Sequence, residues 1–306
     1  MRFIALAILL AGGGCAAVPE GGGGDLPARA ASGETLTFRV ERKRSSHCHT
    51  PEFRTSEEAR IEYRVRVLER RGPRDFSLQV NVGSFAIEYV DDHERWEFDS
   101  ARPEEEDGDH PAWAWVRGLI HGGMSVEVVQ GRVAAMRGFP PIPFLGSAGD
   151  VEFKERTRLL SQRGVAGDLS LILATDMRRP GVPHLRLSHR RSAGSETGET
   201  DGDEPAEAWM PLGEVPLSFT WVIDEDYQGE HASRYSIHGV PPDWWEDHER
   251  RTLSVDGDAF VSKADGFLLR LELGSSERQI GGGVTLDRSG STVITRARDD
   301  DRGLRV

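Results

Sequence analysis

The tripeptide His47-Cys48-His49 combines the side chains that are best suited to metal chemistry in this chain. Imidazole and thiolate groups bind zinc and copper, so the tripeptide is a candidate metal site. In a strand, neighbouring residues point to opposite faces, so His47 and His49 would converge while Cys48 points away. A structural zinc site takes about four ligands, and no second pair of ligands has a suitable spacing. The spacing favours a loop between strands, with His47 and His49 kept as metal candidates.

Acidic side chains beside two tryptophans form a second candidate. Glu246, Asp247 and Glu249 follow Trp244 and Trp245, and paired carboxylates next to aromatic rings suit carbohydrate chemistry. The alternative is a loop whose tryptophans close the end of a sheet. No Gly-x-Ser-x-Gly or Ser-x-x-Lys motif, which would activate a serine nucleophile, occurs in the chain. An exported carbohydrate- or ester-active hydrolase is therefore the alternative function, and no catalytic residue is assigned.

Trp113 and Trp115 lie two residues apart. In a helix they would face different sides, whereas in a strand they would face the same side and could line an apolar groove. Packing in a core or under a lid is the simpler interpretation. Trp113, Trp115, Trp244 and Trp245 are the candidate ligand-binding residues.

The N-terminus has the composition of an export signal. One positive charge at Arg2 precedes the apolar run 3–10, and the small residues 11–14 lead to Cys15. The apolar run is too short to cross a bilayer and has the length of the hydrophobic region of a signal peptide. Small residues before Cys15 allow an extended backbone to enter a peptidase site.

These first 15 residues resemble the signal of bacterial lipoproteins, and Cys15 matches the lipid-attachment cysteine of that class. Gly12 stands where such signals usually carry an aliphatic residue, and ordinary cleavage after Ala17, giving a soluble exported form, is the alternative. The resemblance implies a diacylglycerol and an N-acyl chain on Cys15, and each buried CH₂ contributes about 0.8 kcal/mol to anchoring. Ala16 in place of Asp implies, in this class, the outer membrane. We expect residues 1–14 to be a signal peptide and the chain to be anchored there, on the periplasmic or surface face.

A glycine-rich segment follows Cys15 and cannot form a packed element. We expect residues 15–34 to be a lipidated tether that holds the folded part roughly 20–25 Å from its anchor. Because Cys15 is acylated or removed, Cys48 then has no partner within the chain. Whether Cys48 is a free thiol or forms an intermolecular disulfide stays open.

Composition limits the partners of the chain. Among its 306 residues, 51 acidic side chains face 38 basic ones and give a net charge of −13. This charge repels phosphate backbones and argues against a nucleic-acid partner. No apolar run reaches the roughly 18–20 residues of a spanning helix. Gly281-Gly282-Gly283 lacks the Lys-Ser/Thr of a phosphate loop, and the sequence predicts no cofactor.

Most of the chain has the alternating pattern of strands. In the clearest segment, 59–68, apolar and charged residues alternate with a period of two, which indicates a half-buried antiparallel strand. Gln130-Gly131 and Asp265-Gly266 are typical of tight hairpins. The remaining predicted strands are 36–40, 76–82, 85–89, 96–98, 125–129, 132–136, 217–223, 235–238, 253–261, 267–273, 284–286 and 292–296.

Helical patterns are few. Trp113, Val116 and Ile120 have helical spacing after Pro111, where a proline suits a helix start. Asp168 is the expected cap of a second helix, which runs to about Met177. A weaker helical pattern covers residues 152–162.

The sequence therefore predicts a mainly β fold, a curved and largely antiparallel sheet or half-barrel with two or three short helices. We expect one domain over residues 35–298, with a disordered acidic loop at 190–208 and a polar tail at 299–306. Two domains, one on each side of the acidic loop, are the alternative. The pattern is similar to half-barrel lipoprotein carriers and to uncharacterised exported β-rich domains with a hairpin like 123–133 after a short helix. These features predict a lipid-anchored envelope protein that binds an apolar ligand or an envelope partner without catalysis; the oligomeric state stays open.

Overall fold

The computed structural model describes residues 33–50, 52–72, 75–106, 110–129, 131–143, 146–174, 186–187, 215–239, 251–281 and 284–297. Within these residues, twelve strands form one antiparallel sheet with three short α-helices. This confirms the mainly β, antiparallel fold class. Among the described residues, no helix combines the length and the apolar character needed to span a bilayer.

The strands are long and follow one another closely along the chain. They are β1 (Thr35–His49), β2 (Glu52–Arg70), β3 (Phe76–Asp91), β4 (Arg95–Asp99), β5 (Met124–Val129), β6 (Arg132–Arg137), β7 (Arg186–Leu187), β8 (Val215–Tyr227), β9 (Glu230–Gly239), β10 (Arg251–Ser262), β11 (Leu268–Gly281) and β12 (Val284–Arg296). The helices are α1 (Pro111–His121), α2 (Gly146–Thr157) and α3 (Gln162–Ile172). A 3-10 turn, Arg158–Leu160, connects α2 to α3.

The two ends of the described chain meet in the middle of the sheet. The strand order is β6-β5-β3-β2-β1-β12-β11-β10-β9-β8-β7, and β4 pairs with β3. β1 pairs with β12 from Phe38 opposite Arg296 to Cys48 opposite Leu286. Strands from both sides of the acidic segment 190–208 therefore share this sheet, while that segment, residues 1–32 and the tail 299–306 lie outside the described residues.

Alternation along the strands produces one buried face. Phe38 and Val40 on β1, Ile61 and Tyr63 on β2 and Ile294 on β12 are all buried. Register places Val40 between Ile61 and Ile294, so these side chains pack side by side. The helices contribute further buried residues to the same core: Trp113, Val116, Leu119, Phe153, Leu160, Val165, Leu169 and Ile172. We call this side of the sheet the covered face.

The start of α1 is the predicted one, whereas the cap of α3 is not. α1 begins at Pro111 as predicted, and Nδ1 of His110 accepts a hydrogen bond from the backbone N–H of Ala112 at 3.1 Å. The cap of α3 is Ser161, whose hydroxyl accepts from the N–H of Gly164 at 3.1 Å. The prediction of Asp168 as a cap was wrong, because this side chain lies in the interior of α3 and is buried.

Several strands are longer than their apolar patterns. β1 continues through polar residues to His49, so the prediction of a loop at His47-Cys48-His49 was wrong. The segments 284–286 and 292–296 belong to one strand, β12. In both strands, backbone pairing on two sides carries the ladder through a polar stretch that the apolar pattern does not reveal.

Two glycines of α3 give opposite predictions for alanine substitutions. A Cβ at Gly164 would lie closer than 3.0 Å to the carbonyl oxygens of Leu159 and Arg158, whereas a Cβ at Gly167 meets nothing within 4 Å. We expect Gly164→Ala to lower the free energy of unfolding by about 1–3 kcal/mol. Gly167→Ala should raise it by roughly 0.5–1 kcal/mol, because alanine favours the helix. Urea unfolding of both variants measures this, and equal effects would contradict the packing of α3.

Candidate binding site

The covered face becomes charged along its central strands. On β1, Phe38 and Val40 are followed at the same two-residue spacing by Arg42 and Arg44. Side chains two residues apart share a face of a strand. The covered face therefore continues from an apolar core directly into a region of guanidinium groups.

Neighbouring strands add charged residues in register with these arginines. Arg44 lies opposite Glu57 on β2 and opposite Gly290 on β12. Two residues along β12, Arg288 lies opposite Glu277 on β11. The 3-10 turn after α2 brings a further guanidinium from above the sheet. We call Arg42, Arg44, Arg158 and Arg288 the arginine cluster.

Three members of the arginine cluster are held by buried carboxylates. Nη1 of Arg288 donates to Oε2 of Glu277 at 3.1 Å, and both side chains are at least nine-tenths buried. The other two ion pairs join Arg42 to Asp168 and Arg158 to Glu57. The first pair connects α3 to β1, and the second connects the turn before α3 to β2.

Asp168 is the centre of a small buried network. It is fully buried and also accepts a hydrogen bond from Oη of Tyr63 at 2.9 Å. Burial raises the pKa of Asp168, and the Arg42 guanidinium and the Tyr63 hydroxyl oppose this rise. Burial and the Asp168 carboxylate together raise the pKa of Tyr63 well above its usual value. The network is thus a specific contact between α3 and the sheet.

Arg44 differs from the other members of the cluster. It is solvent-accessible, and among the described residues it forms no ion pair, because its register partner Glu57 is bound by Arg158. Nη2 of Arg288 is buried and, within the described part of the chain, has no hydrogen-bond partner. The cluster therefore retains guanidinium groups with free donors.

The pKa values of Arg44 and Arg158 are lower than usual for arginine, because these groups are desolvated and lie beside other guanidinium groups. The Arg44 side chain reaches solvent, but the protein packed around its guanidinium group, followed by the charges of Arg42 and Arg288, lowers its pKa to about 10. Burial and the charges of Arg44 and Arg42 lower the pKa of Arg158 to about 9. Both groups remain charged at neutral pH, and their charges are costly in this partly desolvated region.

A cavity of about 550 Å³ adjoins the cluster at the ends of β1, β2, β3 and β12. Ser46, Thr55, Asp91 and Arg288 belong to the covered face and are among its lining residues. Its volume is within the range of about 300–1,000 Å³ that is typical of small-molecule sites. The cavity provides space for a ligand beside the unpaired guanidinium donors.

Apolar side chains also lie beyond the arginine cluster, on the side away from Phe38 and Val40. At the strand ends, Cys48 lies opposite Phe53 on β2 and Leu286 on β12. Leu286 is buried, and Cys48 and Phe53 are half-buried. The arginine cluster therefore lies between two apolar parts of the covered face, an arrangement that suits a molecule with both polar and apolar portions.

The metal candidates His47 and His49 do converge, with ring centroids 4.0 Å apart. Nε2 of His49 lies 2.8 Å from Oδ2 of Asp287, and Nε2 of His47 lies 3.9 Å from Oε1 of Glu52. Among the described residues, no group of three or more histidine, cysteine or acidic side chains is arranged to hold a metal ion. Cys48 forms no disulfide within the described part of the chain, and its Sγ lies 3.6 Å from the carbonyl oxygen of Thr50.

Trp113 and Trp115 are on α1 and face different partners in the core. Trp113 stacks on Phe98 with ring centroids 4.8 Å apart. Trp115 meets Phe153 edge-on, and its Nε1 donates to the carbonyl oxygen of Pro140 at 3.0 Å. Both indole side chains are buried, so in this structure they pack the core beneath α1.

Cys15, Trp244 and Trp245 lie outside the described residues, as do the neighbouring carboxylates Glu246, Asp247 and Glu249.

Sequence reasoning missed the arginine cluster. A usable signal was present: Arg42 and Arg44 continue the two-residue stripe of Phe38 and Val40. Charged residues that extend a buried stripe indicate a buried charge network. The contributions of Arg158 and Arg288 depend on tertiary structure and had no such signal.

Comparison with known proteins gives only distant similarities. No protein-family model matches the chain, and no curated protein matches it significantly. A structure titled "Lipid-protein interactions in lipovitellin" matches at 10% identity and a TM-score of 0.42, over 88% of this chain and 25% of that one. A DUF1329 family protein from Desulfovibrio piger matches at 8% identity and a TM-score of 0.17, over 90% of each chain. The chain thus spans about a quarter of the lipovitellin chain, and similarity at this level assigns neither a family nor a function.

Proposed function

We propose that this chain is a bacterial envelope protein, anchored by lipid on Cys15, that binds a molecule on the covered face of its sheet without transforming it. The ligand is a small molecule with an apolar portion, and an envelope protein that carries such a group is the other form of partner. The anchor rests on the export signal and cysteine at the N-terminus, and the binding role rests on the covered face.

One observation carries the binding role. The apolar covered face leads into the arginine cluster beside a cavity of about 550 Å³. Buried ion pairs contribute little to stability compared with well-packed apolar side chains. A fold that needed only a core would therefore gain nothing from the unpaired donors of Arg44 and Arg288, whereas a site that binds a polar group can use them.

The charged groups at this site favour binding over catalysis. Glu57, Asp168 and Glu277 each hold an arginine of the cluster. A general base needs a carboxylate that can reach the proton of a substrate. Here the carboxylates are committed to fixing guanidinium groups, which recognise charge and shape.

The lipid anchor predicts that acylation depends on one cysteine. Full-length chain is produced in bacteria that are fed an alkyne-tagged fatty acid, and the label on the purified protein is measured. We expect strong labelling of the wild type and a fall to background for Cys15→Ser, because the thioether to diacylglycerol cannot form on serine.

Cys48→Ser is the matched control, since it removes the other thiol of the chain and should leave the label unchanged. An unlabelled wild-type chain, or a label that disappears with Cys48 rather than Cys15, would exclude the proposed anchor.

A further inference from the structure

The arginine cluster carries more positive charge than its carboxylates neutralise. Four guanidinium groups face three carboxylates, those of Glu57, Asp168 and Glu277. On the same face, the next carboxylate is Asp91, which accepts hydrogen bonds from the backbone of His93 at 2.7 Å and of Glu94 at 2.6 Å. Asp91 also accepts from the Tyr89 hydroxyl at 3.1 Å. Arg44 is thus the one guanidinium group of the cluster that no carboxylate of the described residues pairs with.

The free donors and the excess charge occur at the same place. Arg288 is nine-tenths buried, and its Nη2 has no partner among the described residues. Arg44 is close enough to Arg288 for their charges to repel each other. Gly290 opposite Arg44 leaves the adjacent position on β12 without a side chain. The guanidinium groups of Arg44 and Arg288 therefore lie close together with donors that no described acceptor takes up, while the side chains of Ser46, Thr55 and Asp91 line the adjoining cavity.

Such an arrangement is complementary to an anion. A guanidinium group presents donors in a planar fork that matches the oxygens of a carboxylate or phosphate. In a partly desolvated site, an anion removes the repulsion between guanidinium groups and satisfies their donors at the same time. The three paired arginines and their carboxylates hold the site in place.

We infer that Arg44 and Arg288 form an anion-binding site for a carboxylate or phosphate group. This inference rests on the proposed binding function and specifies the polar end of its ligand. The anion is either the head of an amphipathic molecule, whose chain lies along the apolar part of the covered face, or a free phosphate ion.

The test measures binding of three probes to the full-length chain in a neutral detergent at low salt, by isothermal titration calorimetry. Hexyl phosphate carries both an anion and a short chain, inorganic phosphate carries the anion alone, and hexanol carries the chain alone. The proteins are wild type, Arg44→Gln and Arg60→Gln. Arg60 lies on the exposed side of β2, so the control loses the same charge from the opposite face.

We expect hexyl phosphate to bind wild type and Arg60→Gln equally, and Arg44→Gln about tenfold more weakly or worse, from the loss of a charge-assisted hydrogen bond. If inorganic phosphate also binds wild type and binds Arg44→Gln more weakly, a free anion is sufficient as the ligand. Binding of hexyl phosphate without inorganic phosphate identifies the head of an amphiphile. The melting temperature of Arg44→Gln should equal or exceed that of wild type, because a repulsive charge is removed.

Two results overturn the inference in distinguishable ways. If hexanol binds and Arg44→Gln leaves hexyl phosphate binding unchanged, the anion site is wrong and the binding function stands. If none of the three probes binds, the binding function fails together with the anion site. A lower melting temperature for Arg44→Gln with unchanged binding assigns Arg44 a structural role and also overturns the inference.

Discussion

Replacing Asp168 with alanine should lower the free energy of unfolding by about 3–5 kcal/mol, because it leaves the half-buried guanidinium of Arg42 without its counter-charge and the buried Tyr63 hydroxyl without an acceptor. Asp168 is fully buried and accepts from Arg42 and from the Tyr63 hydroxyl. Alanine removes both acceptors and leaves a cavity, so α3 loses its polar attachment to β1 and β2. Urea unfolding followed by tryptophan fluorescence measures the loss.

Two milder variants separate the parts of this network. Tyr63→Phe removes one hydrogen bond and should cost roughly 0.5–1.5 kcal/mol. Asp168→Asn keeps a side-chain oxygen that can accept one hydrogen bond, so its effect should fall between those of Tyr63→Phe and Asp168→Ala. A loss below about 1 kcal/mol for Asp168→Ala would mean that the network does not hold α3 on the sheet.

The second large effect is expected at Glu277, the most deeply buried carboxylate partner on β11. Its side chain is 1% exposed and accepts from Nη1 of Arg288, which is itself 8% exposed. Glu277→Ala leaves the Arg288 charge buried without compensation, and the expected loss of unfolding free energy is about 3–5 kcal/mol. Denaturant unfolding at neutral pH tests this value.

Glu272→Ala provides the matched control on the same strand. The Glu272 side chain is 56% exposed in its ion pair with Arg270, and exposed pairs contribute only about 0–1 kcal/mol. Replacing Glu277 and Arg288 together by leucine should cost less than Glu277→Ala alone, because no charge is then left unpaired. A double variant that is less stable than the single one would contradict this explanation.

These stability effects complement the expectation for Arg44. Arg44 and Arg288 belong to the same cluster, yet Arg288 is held by Glu277 and Arg44 has no carboxylate among the described residues. Loss of a paired charge should destabilise the fold, whereas loss of the unpaired one should weaken only binding. The difference separates the residues that support the site from those that contact the ligand.

The sequence is informative where one face of a strand is apolar. Alternation identified the cores of β2, β3 and β11, and the consecutive strands β5 and β6, like β10 and β11, pair antiparallel as the turn residues between them predicted. Proline and helical spacing located α1. These features are local, so a single segment contains the information that determines them.

The sequence is less informative where tertiary contacts replace apolar burial. The second half of β1, from Arg42 to His49, has no apolar stripe, and pairing with both β2 and β12 keeps it in the sheet. Asp168 has the sequence features of a cap, but Arg42 and Tyr63 satisfy its carboxylate in the interior. Both errors have the same cause, since distant parts of the chain supply the partners.

In the candidate site, too, part of the arrangement follows from a local sequence pattern and part depends on contacts between distant residues. The stripe from Phe38 to Arg44 was recognisable in the sequence as charge that continues a buried face. Arg158, which comes from the turn after α2, and Arg288, which comes from the last strand, meet it only in the folded chain. The metal candidates His47 and His49 converge as a strand requires, and their partners Asp287 and Glu52 come from the strands beside them.

Native mass spectrometry of the full-length chain, released from bacterial membranes in a neutral detergent, tests the proposed envelope binder most directly. We expect a processed chain that begins at Cys15, carries covalent acyl mass there, and retains a small anionic amphiphile that dissociates on collisional activation. An unprocessed chain with a free thiol at Cys15 and no retained molecule would contradict both the anchor and the binding role.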